Sequence, residues 1–163
     1  MNPVLLLLLS VHLFAATMLV GGSSFIWLVA VPASRGFGLD EPGRTRVIGQ
    51  MAKRFGLFVC ASLAALIGTG IILAVMELGT NPDVLLDTPF GRLVLLKMGL
   101  VAVFLVFLYV HNVVYGRRIV ALARAGRTEE LRRLRRRSRP VAYANLVLLV
   151  VILLVGVLLH HSA

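Results

Sequence analysis

Four long apolar runs alternate with three shorter polar intervals along the chain. The runs extend from about Pro3 to Val31, Phe55 to Met76, Phe90 to Tyr115 and Val141 to Leu159. Each approaches or exceeds the roughly 20 residues a helix needs to cross the hydrocarbon core of a bilayer. Backbone N–H and C=O groups find no water there, so each run must satisfy them internally as a helix. Short intervals favour antiparallel neighbours. The pattern therefore predicts an all-α fold, a single domain over residues 1–163 built as an integral membrane up-down four-helix bundle. The opening "MNPVLLLLLSVHLFAAT" has the apolar core of a secretory leader but lacks its basic flank. Its apolar run also continues through "FIWLVAV" to Pro32, so a retained first helix is expected.

Composition agrees: 59% of the residues are hydrophobic and the mean hydropathy is +0.94, against roughly 45–50% apolar in a soluble domain. The net charge of +10 by itself suggests nucleic acid, but its distribution does not. Ten of the 17 Lys and Arg lie between Arg117 and Arg139, a basic block between two spans. That placement fits an inner membrane surface beside anionic lipid headgroups and excludes nucleic acid as the expected partner. The first interval carries Arg35, Arg44, Arg46, Lys53 and Arg54. The second holds Glu77, Asp83 and Asp87 against Arg92. All three intervals agree on one orientation: first and third cytoplasmic, second and both termini outside, in a multi-pass protein of the cell inner (plasma) membrane. Residues 116–140 are expected as a basic cytoplasmic loop in which "RTEELRRLRRR" forms a short amphipathic helix.

Polar residues inside the runs are the candidates for chemistry. A charged side chain in a span costs a few kcal/mol and normally faces the bundle interior. Lys97 lies about 10 Å in from the outer end of its helix at 1.5 Å per residue, and His12 shares that depth on the first helix. The first and third helices are expected to be neighbours with these two side chains facing a common space. Glu77, Met18, Met76, Met98, His160 and His161 fall toward the same end. His111 returns to the Lys97 face but roughly 21 Å deeper, near Asn112, Tyr115, Arg139 and Asn145. Small residues in "VGGSS" (Val20 to Ser24) and "GTG" (Gly68 to Gly70) permit close helix approach. Cys60, the one cysteine, allows no intramolecular disulfide and is expected as a small buried apolar side chain.

Several stretches together resemble one family. "SVHLFAATMLVGGSSFIWLVAVPASR", "RFGLFVCASLAALIGTGIILA", "DTPFGRLVLLKMGLVAV" and "RPVAYANLVLLVVILLVG" follow in order the helices of the copper-resistance protein D (CopD) family. The same core is similar to the HemJ-type protoporphyrinogen oxidases, which place a His on the first helix and a Lys on the third. Both likenesses point to His12 and Lys97, and they extend to Asn145. The CopD resemblance implies copper transport or homeostasis and a periplasmic copper-binding partner; the HemJ resemblance implies heme.

Two chemistries stay open for the residues. Imidazole and thioether donors suit Cu(I), and His12, Met76, Met98, His160 and His161 supply them near the outer face. A b-type heme needs an axial His and cations for its propionates, which His12 and Lys97 supply, with His111 and Asn145 as further cofactor-facing residues. A third reading is a non-catalytic accessory subunit of a larger membrane complex. The sequence has no HExxH, phosphate loop, nucleophile–base pair or paired buried carboxylates, so hydrolytic and phosphoryl-transfer enzymes are not expected.

Overall fold

The computed structural model describes residues 2–38, 40–79 and 82–162, without the side chains of Phe37, Glu41, Pro82 and residues 160–162. Four helical stretches among them, Pro3–Gly36, Pro42–Leu78, Pro89–Arg124 and Thr128–Leu159, are long and apolar enough to span a membrane. They form the expected up-down bundle.

Each of the first three stretches starts on the same chemical device, a short polar side chain that caps the helix with a proline just after it. Asn2 accepts from the Val4 N–H at 3.0 Å at the start of α1 (Pro3–Ser24). After α2 (Val31–Ala33), Asp40 accepts from the Gly43 N–H at 2.8 Å at the start of α3 (Glu41–Leu78). The short α4 (Pro82–Asp87) follows, and Thr88 accepts from the Gly91 N–H at 3.0 Å to open α5 (Pro89–Tyr109). A cap side chain satisfies one of the first orphan N–H groups, and proline forfeits no helical bond at that place.

Two of the stretches change pitch toward the basic end of the bundle. Phe25–Ala30 continues α1 as a π-helical turn, and Val110–Gly116 continues α5 in the same way. The basic segment is helical nearly throughout. It holds α6 (Arg117–Arg124) and the first turns of α7 (Thr128–Ser162), joined at Gly126, whose φ of +68° suits a residue without Cβ. The expected free-standing amphipathic helix is thus the start of the fourth span. α7 runs through Pro140 without a break, and α3, the second span, begins at Glu41, well before Phe55. Hydropathy marks only the part of a helix that lies in hydrocarbon; hydrogen bonding carries it further into the polar margin.

α1 packs along α3 and α5 along α7, while α1 also meets α7 and α3 meets α6. The first and third spans are consequently diagonal, with the second and fourth filling the gaps between them. Their centre is a dry plug of Leu19, Phe104 and Leu149, each at most 4% exposed, surrounded by Val20, Val59, Leu63, Leu66, Leu105, Leu108, Leu148 and Ile152. Gly22 fits the one close approach its motif foretold: a Cβ there would overlap the Phe55 ring, whereas Gly21 meets nothing. Much of the remaining apolar surface is outward, including Phe14, Leu57, Phe58 and Leu154, as a lipid-facing bundle requires. Cys60 is among the exposed residues. The expectation that it is buried fails because a small apolar side chain in a membrane helix loses nothing by facing lipid.

Candidate functional site

At the end of the bundle where the termini emerge, all four spans contribute to one layer. His12 stands on the third turn of α1. Antiparallel to it, Thr69 and Gly70 lie at the matching height on α3. Lys97 lies two turns into α5, and Gly156 near the end of α7.

His12 Nδ1 is 2.8 Å from Thr69 Oγ1. The Thr69 hydroxyl donates its single proton to the Ala65 carbonyl at 2.6 Å, so toward His12 it accepts. Nδ1 therefore carries the imidazole proton, and Nε2 holds the lone pair. Thr69 is 8% exposed, which shields this bond from competing water. Gly70 makes room for the ring: a Cβ there would meet His12 Cε1 at 3.4 Å. The hydroxyl and the glycine of "GTG" thus serve the same imidazole, one by hydrogen bonding and the other by leaving space.

Lys97 lies partly buried against the fourth span, and a Cβ on Gly156 would stand 3.5 Å from its Nζ. Although their helices are diagonal, His12 and Lys97 are brought into one layer. Among the described residues Lys97 has no carboxylate partner; the ion pairs Arg127–Glu130 and Arg132–Glu129 lie at the basic end.

The other expected residues are placed differently. Met76 and Met98 are 45% and 58% exposed, on the outside of the bundle. The side chains of His160 and His161 lie outside the described residues. No group of three or more His, Cys, Asp or Glu that could hold a metal ion occurs among the described residues. His111 and Asn145 lie toward the basic end, beyond the Leu19–Phe104–Leu149 plug. The His111 ring meets Trp27 edge-on with centroids 5.5 Å apart, and Trp27 is 6.2 Å from Tyr143. His111 Nδ1 and Asn145 Oδ1 are buried and have no hydrogen-bond partner among the described residues. They form a second polar level, separate from the His12 layer.

Thr69, Gly156 and Trp27 are the residues that the sequence reading passed over. Thr69 had a usable signal, its position nine residues from the end of α3 against nine residues from the start of α1 for His12. Gly156 sits in "LLVGVLL", where nothing but depth sets it apart.

No curated protein and no solved structure matches this chain. The family model for copper resistance protein D matches residues 49–159, more than half of the sequence and three of its four spans. On that match, the chain belongs to the copper resistance protein D family.

Proposed function

We propose that this protein takes copper as its cargo, and that Cu(I) meets His12 Nε2 in the half of the bundle where the termini emerge. The charge bias of the three intervals supports an outer-side location for that half in an inner (plasma) membrane. The bond between His12 and Thr69 is the observation that carries the reading. A ligating histidine typically donates its other ring N–H to a fixed acceptor, which sets tautomer and ring orientation, and His12 is held in that way before any metal arrives.

A single imidazole beside a cationic lysine is a poor storage site. Conduction requires binding that is favourable enough to enter and weak enough to leave. Lys97 opposes residence of a second positive charge in a medium where charges are poorly screened, so the layer suits a metal in transit. A periplasmic copper-binding protein or a larger membrane complex would supply or receive it.

A b-type heme is the second reading, favoured by Lys97, which has no carboxylate partner among the described residues and lies in the same layer as a histidine with a free Nε2. His12 would be the axial donor and Lys97 would hold a propionate; the iron would bring one-electron redox chemistry. Spectra of the purified protein, oxidised and reduced, together with Cu(I) titration against a competing chelator, separate the two. Copper binding that His12→Ala abolishes supports the first reading. A Soret band that His12→Ala removes supports the second. Equal copper and heme content in wild type and His12→Ala removes both, leaving an accessory role in a membrane complex.

A further inference from the structure

Arg44, Arg132, Arg135, Arg136 and Arg139 line one open cleft of about 420 Å³ at the basic end, within the range of small-molecule sites. The four arginines of α7 follow at spacings of three, one and three residues, which puts them on a single face of the helix. Arg44, one turn into α3, closes the cleft from the diagonally opposite span. Like charges at such spacings disfavour a helix, and an anion in the cleft would relieve that repulsion.

The cleft is also built. Arg135 Nη2 donates to Thr45 Oγ1 at 2.7 Å, and Thr45 is 4% exposed, which ties α7 to α3 across the cleft floor. Ser138, 3% exposed, donates to the Arg135 carbonyl at 3.0 Å and lies on the same stretch. On α7, Glu130 pairs with Arg127, and Glu129 accepts from Arg132 Nη1 at 3.2 Å. Arg136 and Arg139 are exposed and reach the cleft with their planar guanidinium groups, which match phosphate oxygens two bonds at a time.

The geometry points to a binding site in this cleft for a phosphate-bearing anion with more than one negative charge. The site stands apart from the His12 layer and does not depend on what that layer carries. Its place, where two spans leave the hydrocarbon, favours the headgroup of an anionic phospholipid; a soluble di- or polyphosphate offers the same chemistry.

The test uses the full-length protein, stripped of lipid in a neutral detergent and titrated separately with cardiolipin, phosphatidylcholine and inorganic pyrophosphate, with bound species counted by native mass spectrometry. Two variants remove equal charge. R136Q/R139Q acts inside the cleft; R117Q/R118Q acts on α6, outside it. Cardiolipin is expected to bind in preference to phosphatidylcholine, and R136Q/R139Q to weaken it roughly 10- to 30-fold, with R117Q/R118Q within about twofold of wild type. Tight pyrophosphate binding with no preference between the lipids, and the same dependence on Arg136 and Arg139, identifies the soluble source and keeps the site. An equal loss in both variants reduces the effect to diffuse surface charge and overturns the proposal, as does failure of both anionic probes to bind. Matching thermal unfolding curves for the two variants show that the comparison is between folded proteins.

Discussion

Replacing Thr69 with valine tests the His12 layer at the point where its geometry is most specific. The substitution keeps the branched shape and deletes the oxygen that His12 Nδ1 reaches at 2.8 Å. The Ala65 carbonyl, to which Thr69 donates, loses only a supplementary bond within a helix. His12 then has two responses. It can keep its proton on Nδ1, leaving a buried donor unsatisfied at a cost of about 1–3 kcal/mol. It can instead move the proton to Nε2, which removes the lone pair from the nitrogen that faces cargo. Both weaken ligation, and at 1.4 kcal/mol per tenfold the expected loss in affinity is about 10- to 100-fold. Thr69→Ser restores the hydroxyl and is expected to return affinity to within about threefold of wild type. The assay is Cu(I) titration of detergent-solubilised protein against a chelator of known affinity, repeated by heme retention if a Soret band is found. Thr69→Val with affinity equal to wild type would refute the assigned tautomer and the role given to Nε2.

Three further outcomes are expected. Lys97→Met removes the charge and keeps most of the bulk, so Cu(I) affinity should hold or rise, whereas heme retention should fall about 10- to 100-fold through loss of a charge-assisted bond worth roughly 1.5–3 kcal/mol; equilibrium titration reads the sign. Gly91→Ala should destabilise the fold by about 1–3 kcal/mol or more, since its Cβ would stand 2.5 Å from the Val84 carbonyl oxygen and 2.6 Å from Leu85 Cα, and backbone cannot swing aside; an unchanged melting temperature would contradict the close crossing of α4 and α5. In a Cys60→Ser background, a cysteine at the exposed Asp87 should react with an impermeant maleimide on intact cells and one at the exposed Arg133 should not; the reverse pattern inverts the proposed orientation.

The number and length of the spans were legible because hydrocarbon imposes them on composition. Their ends were not, because a helix stops where its caps and hydrogen bonds stop. Asp40 and Thr88, each followed within two residues by proline, carried that information, and an apolar window does not weigh it. Depth counting brought His12 and Lys97 to one level correctly, since rise per residue is nearly constant within α1 and α5. It gave no rotational position, which is why Met76 and Met98 share the level yet face outward. Thr69 was hidden by an ambiguity of its chemistry. A threonine in an apolar helix commonly bonds back to the carbonyl four residues earlier, and this one does so while also receiving His12. Cys60 shows the limit of reasoning carried over from soluble proteins, where exposure of an apolar group is unfavourable and in lipid it is not.

The two π-helical turns, Phe25–Ala30 and Val110–Gly116, bear on how such a chain tolerates changes of length. A π turn is equivalent to one residue inserted into an α-helix, absorbed locally as a bulge. The residues beyond it keep the facing they would have without the extra residue, because the wider turn takes up the roughly 100° that one residue adds. The half of the bundle that holds His12 and Lys97 and the half that holds the arginine cleft thus stay in phase although the chain between them carries an extra residue. A single-residue deletion within 110–116 would return the turn to α pitch and leave both Lys97 and Arg117–Arg124 facing as they do. Homologous chains that differ by one residue at these two turns should therefore keep both the outer layer and the basic end in register.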